Sequence, residues 1–325
     1  MSHRVALESG EAFSSGNESL LSAALNAGVM LPSDCRQGAC GTCRIRVLQG
    51  RVSYEAPPMA LTPEDEAEGF AFACQARAMS DLLVRVESLA LPSTERRCAT
   101  IVSLERFTPD VVHLRLELEQ PVDYAPGQHM KLHLPDGTTR NFSMASRPDG
   151  TAIEFHVRRI PGGRFTDTAL GKMCPGDAVD LELPHGAFIF RRQDYRPVIM
   201  AVTGTGLAPV RAMLESLLDD PDCPPIRLYR GGRTQADLYL QQELEGWRER
   251  LAGFEYVPVL SRAGAKRYVQ DAICADFDDL SQHAIYLCGS PAMTAAARSA
   301  VRRKGADTAY VYAEGFGFQF QEETT

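Results

Sequence analysis

The chain has 325 residues, 44% apolar and 23% charged, with 26 Gly and 20 Pro, a globular composition that excludes collagen-like, low-complexity and largely disordered chains. At about 150 residues per domain this length predicts two to three domains. The formal net charge of −8 argues against a nucleic-acid binder, which needs a basic footprint, and no run approaches the roughly 18 apolar residues of a membrane span.

The N-terminus, MSHRVALESGEAFSSG, lacks the charged and apolar regions of a secretory signal, so the cytoplasm is the expected compartment. Nine cysteines, an odd number outside a secretory context, do not read as a disulfide framework. Residues 1–88 read as a β-rich unit with one helix. In the helix, Glu18 to Ala27, Leu20, Leu21, Ala24 and Leu25 share a face and Gly28 is the stop signal. Arg44 to Leu48 and Leu82 to Val86 alternate like half-buried strands. Between helix and strands, Cys35, Cys40 and Cys43 are spaced C-x4-C-x2-C, and Cys74 follows 31 positions later. That is the plant-type [2Fe–2S] spacing, in which three soft thiolates on one loop and a fourth from elsewhere hold two irons. Zinc knuckles usually present C-x2-C twice, and the second pair is missing here. Gly38 and Gly41 suit a backbone wrapped closely around a cluster. The loop resembles that of plant-type ferredoxins, which implies a β-grasp fold for this region. Residues 1–88 hold seven Arg and no Lys against eleven Asp and Glu, an acidic balance suited to docking a basic partner. Polar, Pro-containing residues 89–97 read as a linker.

Residues 98–194 contain short strand-like runs with turn signals between them: TIVSLERF, VVHLRLEL, HMKLHL, IEFHVRRI and DAVDLELP. This texture predicts a small antiparallel barrel, six-stranded in the family named below. Arg140-Asn141-Phe142-Ser143 resembles the R-x-[YF]-[ST] motif of the ferredoxin–NADP reductase superfamily. The resemblance implies a guanidinium gripping flavin phosphate, an aromatic ring on the isoalloxazine and a hydroxyl at flavin N5. His156, Val157 and Arg158 resemble the second flavin segment of that family, and Gly162-Gly163-Arg164-Phe165-Thr166 resembles its G-G-x-x-[ST] turn. A glycine pair opening a helix offers N–H groups to a pyrophosphate. Gly176-Asp177 and Pro184 to Phe188 match further family segments and read as structural.

From 195 to 325, apolar β-rich runs (Pro197 to Val202, Ile226 to Tyr229, Phe254 to Val259, Ala284 to Cys288, Ala309 to Tyr312) alternate with helical stretches such as Ala208 to Leu218 and Tyr239 to Arg250. Alternation of this kind predicts βαβ units on a parallel sheet. Thr203-Gly204-Thr205-Gly206-Leu207-Ala208-Pro209 resembles the family's nucleotide turn G-T-G-[IL]-A-P, with Pro209 where a dinucleotide fingerprint would have its third Gly. Arg230, Arg233 and Asp237 at the next strand offer both a 2′-phosphate partner and a 2′-hydroxyl partner, which leaves NADH and NADPH both open. Cys288-Gly289-Ser290-Pro291-Ala292-Met293 resembles C-G-[PS]-P-x-M, whose Cys lies beside the nicotinamide ring in relatives. Glu314-Gly315-Phe316 resembles the closing E-x-F, whose acid lies near flavin N5 and whose ring covers the flavin. Nine residues follow Phe316, Phe318 and Phe320 among them, so which ring stacks is open.

In this order the motifs resemble the reductase components of ring-hydroxylating (Rieske-type) oxygenases, such as those for terephthalate and benzoate. The resemblance implies a multi-domain α+β and α/β protein: a ferredoxin domain (1–88), an FAD-binding barrel (98–194) and an NAD(P)-binding domain (195–325). It implies FAD over FMN, which residue patterns alone do not separate. It implies passage of a hydride from NAD(P)H to flavin, division into single electrons at the cluster, and delivery to a terminal oxygenase acting on an aromatic compound. Ser143, Cys288, Glu314 and Phe316 are the expected catalytic residues, and a monomer with transient docking is the expected state. A deoxysugar dehydratase or a cytochrome P450 is the alternative acceptor.

Overall fold

Alternation of apolar positions sorts the strands into three main sheets. The computed structural model describes residues 2–29, 31–33, 36–38, 41–59, 61–86, 92–263 and 267–315, with the backbone alone at Arg164. They gather into two compact units, one of Met1–Ser88, Gly289–Ser299 and Ala313–Thr325, the other of Leu89–Cys288 and Ala300–Tyr312.

The first unit opens with β1 (His3–Leu7), β2 (Ala12–Ser15), α1 (Leu20–Asn26), β3 (Arg44–Gln49) and β4 (Val52–Ser53). It continues through α2 (Pro63–Ala67), β5 (Phe70–Phe72), β6 (Arg77–Ala78) and β7 (Leu82–Val86). The main sheet runs β2-β1-β7-β3-β5, with β4 and β6 paired separately; β1 and β7 are parallel. Ser19 caps α1 by accepting from the Ser22 amide, and Gly28 ends it at φ +74°. The helix buries Leu20, Leu21, Ala23 and Ala24. Leu25, expected on the same face, is exposed. Val5, Phe13, Ile45, Phe72 and Val84 complete this core.

The second unit begins with β8 (Glu95–Thr108), β9 (Val111–Leu118), β10 (His129–His133), β11 (Thr139–Ser143), β12 (Ala152–Arg158) and β13 (Ala178–His185). They form one antiparallel sheet in the order β11-β10-β13-β8-β9-β12. The sixth strand, absent from the strand-like runs, is the motif-bearing segment Thr139–Ser143 itself. The edge strands meet in a single bridge, Met144 to Phe155, so among the described residues the sheet does not close into the expected barrel. The Met144 amide is taken by the Gln128 carbonyl, and Pro148 follows without a donor to extend a ladder. Residues 95–97, read as linker, are already strand.

The parallel sheet comprises β14 (Val198–Thr203), α3 (Leu207–Glu215), β15 (Ile226–Gly232), α4 (Gln241–Gly246) and β16 (Phe254–Leu260). After these come α5 (Val269–Asp276), β17 (Ala284–Gly289), α6 (Pro291–Arg303) and β18 (Val311–Gly315). Its order is β16-β15-β14-β17-β18, so the chain switches direction of travel beside β14, where open α/β sheets place a ligand crevice at their carboxyl ends. Tyr239 and Leu240 do not join α4; Leu240 sits at φ +61°, which breaks the helical stretch read from Tyr239. No described helix is long and apolar enough to cross a membrane.

Gly127, at φ +107°, precedes β10, and a Cβ there would fall 2.1 Å from the Phe188 carbonyl oxygen and 2.4 Å from Met213 Cε. Left-handed strain and overpacking together predict that Gly127→Ala costs about 2–4 kcal/mol. Urea unfolding of the variant beside the parent protein checks this.

Candidate functional site

Cys43 and Cys74 are both buried, with Sγ atoms 3.1 Å apart. Cys43 closes the loop before β3, and Cys74 follows β5, which pairs with β3. Two soft donors so brought together fit the thiolate set of an iron–sulfur cluster. The loop backbone is left-handed at Arg36, Gly38 and Gly41. At Gly38 a Cβ would lie 2.8 Å from Pro58 Cβ, so only glycine lets the loop pack this closely on Pro58. Gln75 Nε2 donates to the Arg36 carbonyl at 2.8 Å, tying the loop to the segment carrying Cys74. Cys35 and Cys40 lie outside the described residues. Of the cysteines scattered singly along the rest of the chain, Cys98 and Cys174 are exposed, Cys274 is half-buried and Cys223 is buried.

On β11, Ser143 is buried and its Oγ has no hydrogen-bond partner. A buried hydroxyl without a partner is uncommon, and it fits a residue that bonds flavin. Phe142 packs on Phe165 with centroids 5.4 Å apart, joining the flavin strand to the turn that follows β12. Arg140 Nη1 donates to the Thr139 carbonyl at 2.7 Å, and Asn141 is exposed beside it. In the glycine turn, the Gly162 amide donates to Asp167 Oδ2 at 2.9 Å and the Gly163 amide to the Ile160 carbonyl. The two N–H groups expected to face a pyrophosphate are thus already used. Those without intrahelical partners begin at Arg164, where a π-helical turn, Arg164–Ala169, starts. Thr166 does not face outward either: its Oγ1 accepts from the Ile160 amide at 3.1 Å. Arg158 and Arg159 pair with Asp110 and Asp167 and line a cleft of about 470 Å³ with Arg233.

At the end of β14, Thr203 leads into a tight turn, Gly204–Gly206, with Gly204 at φ +54°; Pro209 falls in the first turn of α3, where a missing N–H does no harm. The Gly204 carbonyl accepts from Arg230 Nη1 at 2.7 Å and from the Tyr239 hydroxyl at 3.3 Å. Arg230 is fully buried, its Nε and Nη2 without hydrogen-bond partners. A buried cation with two unused donors fits an anion-binding position. Arg233 and Asp237, which offered opposite nucleotide partners, are bonded to each other: Asp237 accepts from the Arg233 and Thr234 amides and from the Arg233 guanidinium. Val202 on β14 pairs with Cys288 on β17, which brings the Thr203-Gly204-Thr205-Gly206 and Cys288-Gly289 turns to adjacent strand ends. Cys288 and Glu314 are buried. Phe316, with Phe318 and Phe320, lies outside the described residues.

Sequence reasoning missed Phe107, His113, Tyr239 and Arg211. Phe107 stacks on His113 at 4.6 Å and on Tyr239 at 5.3 Å. Tyr239 hydroxyl lies 3.2 Å from His156 Nδ1. His156, read as a flavin contact, thus faces this cluster with its Nδ1 side. Aromatic residues far apart in sequence carry no local motif, and only the apolar flanks of Tyr239 hinted at its burial.

Burial, reinforced by Arg211, His113 and Arg230, holds the His156 imidazole well below its ordinary pKa. The unfolded chain takes up this proton near pH 6.5 while the native one does not. Stability is therefore insensitive to His156 above that pH and falls below it by about 1.4 kcal/mol per pH unit. In thermal unfolding at about pH 7.5 and about pH 5.5, the midpoint of His156→Gln should shift less than that of the parent.

The three regions match known domain families: the 2Fe-2S iron-sulfur cluster binding domain over residues 7–79, the oxidoreductase FAD-binding domain over 98–190 and the oxidoreductase NAD-binding domain over 200–299. The chain is 34% identical to the reductase component 2 of terephthalate 1,2-dioxygenase from a Comamonas species, over 89% of each chain. It is 35% identical to the phenol 2-monooxygenase reductase component DmpP of Pseudomonas sp. strain CF600, over 91% of this chain and 89% of that one. The crystal structure of the Amycolatopsis cytochrome P450 reductase GcoB superposes with a TM-score of 0.72 at 33% identity, covering 97% of this chain and 98% of that one. With its ferredoxin, FAD-binding and NAD-binding parts in one α+β chain, the protein belongs to the family of NAD(P)H-dependent iron–sulfur flavoprotein reductases that serve as electron-donating components of oxygenases.

Proposed function

We propose that this chain is the reductase component of a multicomponent oxygenase acting on an aromatic compound. The observation that carries the proposal is the convergence of the buried Cys43 and Cys74 sulfurs at 3.1 Å in a chain that also presents a flavin strand and a nucleotide turn. When bound, FAD and the [2Fe–2S] cluster supply the conversion of a two-electron hydride into single electrons. The chain's own residues hold and orient the groups. Arg140 grips flavin phosphate, with first-turn amides from Arg164 to Thr166 as additional donors. Phe142, backed by Phe165, lies against the ring system, and the Ser143 hydroxyl donates to flavin N5. The backbone at Thr203 to Gly206 approaches the nicotinamide nucleotide closely, Arg230 offers its unused donors to the nucleotide's phosphates, and Cys288 and Gly289 shape the nicotinamide end. Glu314 and Phe316 complete the flavin side. Cys35, Cys40, Cys43 and Cys74 are the cluster ligands.

Residues 1–88, 98–194 and 195–325 serve as the three redox modules of a cytoplasmic monomer that docks transiently on its oxygenase. The six antiparallel strands of the flavin module form the sheet on which FAD is held. The excess of acid over base in residues 1–88 suits a basic patch on that partner. The likeness to a cytochrome P450 reductase supports a second reading in which the acceptor is a P450.

Anaerobic titration of the purified protein with NADH and, separately, NADPH tests the reading, with iron and flavin assayed alongside. Iron in the ratio of a [2Fe–2S] cluster, stoichiometric FAD, and bleaching by one nucleotide at lower concentration than by the other are expected. A colourless, zinc-bearing protein would sink it. Paired assays with an aromatic-ring oxygenase and a P450 as acceptor separate the two readings. Ser143→Ala should slow flavin bleaching by about tenfold, the factor carried by one net hydrogen bond of about 1.4 kcal/mol, with flavin content unchanged; stopped-flow absorbance reads it.

A further inference from the structure

Asp65 lies in the first turn of α2, completely buried, and nothing in the proposed chemistry uses it. Its Oδ2 accepts from the Thr62 amide and the Thr62 hydroxyl, each at 3.0 Å, closing a reciprocal cap with the Asp65 amide. The same oxygen accepts from Arg298 Nη1 at 2.7 Å, and the Arg298 side chain is only 4% exposed. Arg298 sits two turns into α6, the helix that starts just after Cys288-Gly289-Ser290. Thr62 and Asp65 suffice to cap α2 by themselves, so the cap does not explain the arginine. A buried ion pair is a poor stabiliser beside an apolar pair of similar volume, and its documented use is to specify register. Here it specifies which helix α2 rests on.

A second joint lies in the same compact unit. Gly41, between Cys40 and Cys43, adopts φ +77°, and a Cβ on it would come within 3.2 Å of the Ala313 carbonyl oxygen. Ala313 directly precedes Glu314 on β18. Residues 1–88 are thus bonded to segment 289–299 through Asp65 and Arg298 and approach segment 313–315 closely at Gly41, the first segment following the nicotinamide turn and the second carrying the flavin-side acid. Burial works against a charged Asp65, but Arg298, the Thr62 amide and Arg44 together hold its pKa below the usual range, so the pair is ionised near neutrality.

We infer that Asp65 and Arg298 are positioning residues that hold the cysteine module on the helix following the nicotinamide turn, so that electron passage to the cluster depends on them and hydride acceptance does not. This rests on the electron-transfer reading above. The redox balance is that of the parent reaction: one hydride supplies two electrons, which leave singly through the cluster.

The test uses the holoprotein with Arg298→Met, Arg298→Lys and Asp65→Asn, the last keeping a capping oxygen if Arg298→Met fails to fold. Hydrogen exchange is measured on the oxidised proteins, and flavin and cluster bleaching are followed separately by stopped-flow after mixing with nucleotide. For Arg298→Met and Asp65→Asn, flavin bleaching should stay within about twofold of the parent while cluster bleaching slows by about tenfold or more, the scale on which small misplacements act. Amides of residues 63–67 and 291–299 should exchange faster together, and Arg298→Lys should recover most of the cluster rate. Equal slowing of both phases, unchanged rates in both, or faster exchange in one segment only would overturn the inference. If flavin in the parent protein fails to bleach, the electron-transfer reading falls, while the exchange measurement still decides whether the joint exists.

Discussion

One buried guanidinium organises the second unit. Arg211, on α3, donates through Nη1 to the Ala145 carbonyl at 2.6 Å and to Glu154 at 3.2 Å, and through Nε to Glu243 at 2.7 Å. Burial opposes its charge, but Glu243, Glu215 and Glu154 more than compensate and raise its pKa above the usual value. Ala145 lies two residues past the flavin-strand serine, Glu154 lies on β12, and α3 begins at the nucleotide turn. Without Arg211, three half-buried carboxylates would lose the cation they share. The segment after β11 and the start of α3 are held in register by a planar fork whose geometry a lysine does not offer.

The same economy of polar contacts recurs at Gly204. Its carbonyl is claimed by Arg230 and Tyr239 at once, and Tyr239 continues through its hydroxyl to His156 on β12. The Gly204–Gly206 turn is thereby tied to the antiparallel sheet by a chain of buried side chains rather than by loop stiffness. Buried networks of this kind are rigid when fully satisfied. Ser143 Oγ and two nitrogens of Arg230 are among the buried atoms left without a hydrogen bond, as is Nε2 of His156 in this same chain of contacts.

Short motifs were legible because close approach to a cofactor demands particular residue types at fixed offsets. Thr203 to Gly206 and the two described cysteines are recognisable on those grounds, and the folded chain places Cys43 beside Cys74 and the glycine turn at a strand end. Offsets said less about direction. Gly162 and Gly163 suggested free amides, yet Asp167 and Ile160 take them. Arg233 and Asp237 suggested opposite nucleotide partners, yet they bond each other. Leu25 shared a helical face with Leu20 in projection, yet it is exposed in the folded chain. The strand Thr139–Ser143 escaped a pattern search because Thr, Arg, Asn, Phe and Ser do not alternate in polarity, and only its neighbour β10 makes it a strand.

Local chemistry therefore determined, from sequence alone, the order of the ferredoxin, FAD-binding and NAD-binding parts and the cysteine spacing, since each is encoded by residues within a few positions of one another. Tertiary structure alone decided the partners of Arg211, Arg230, His156 and the Asp65–Arg298 pair. Those contacts join residues up to 233 positions apart, and a long-range pair of charges or rings leaves no periodic or spaced trace in the chain that forms it.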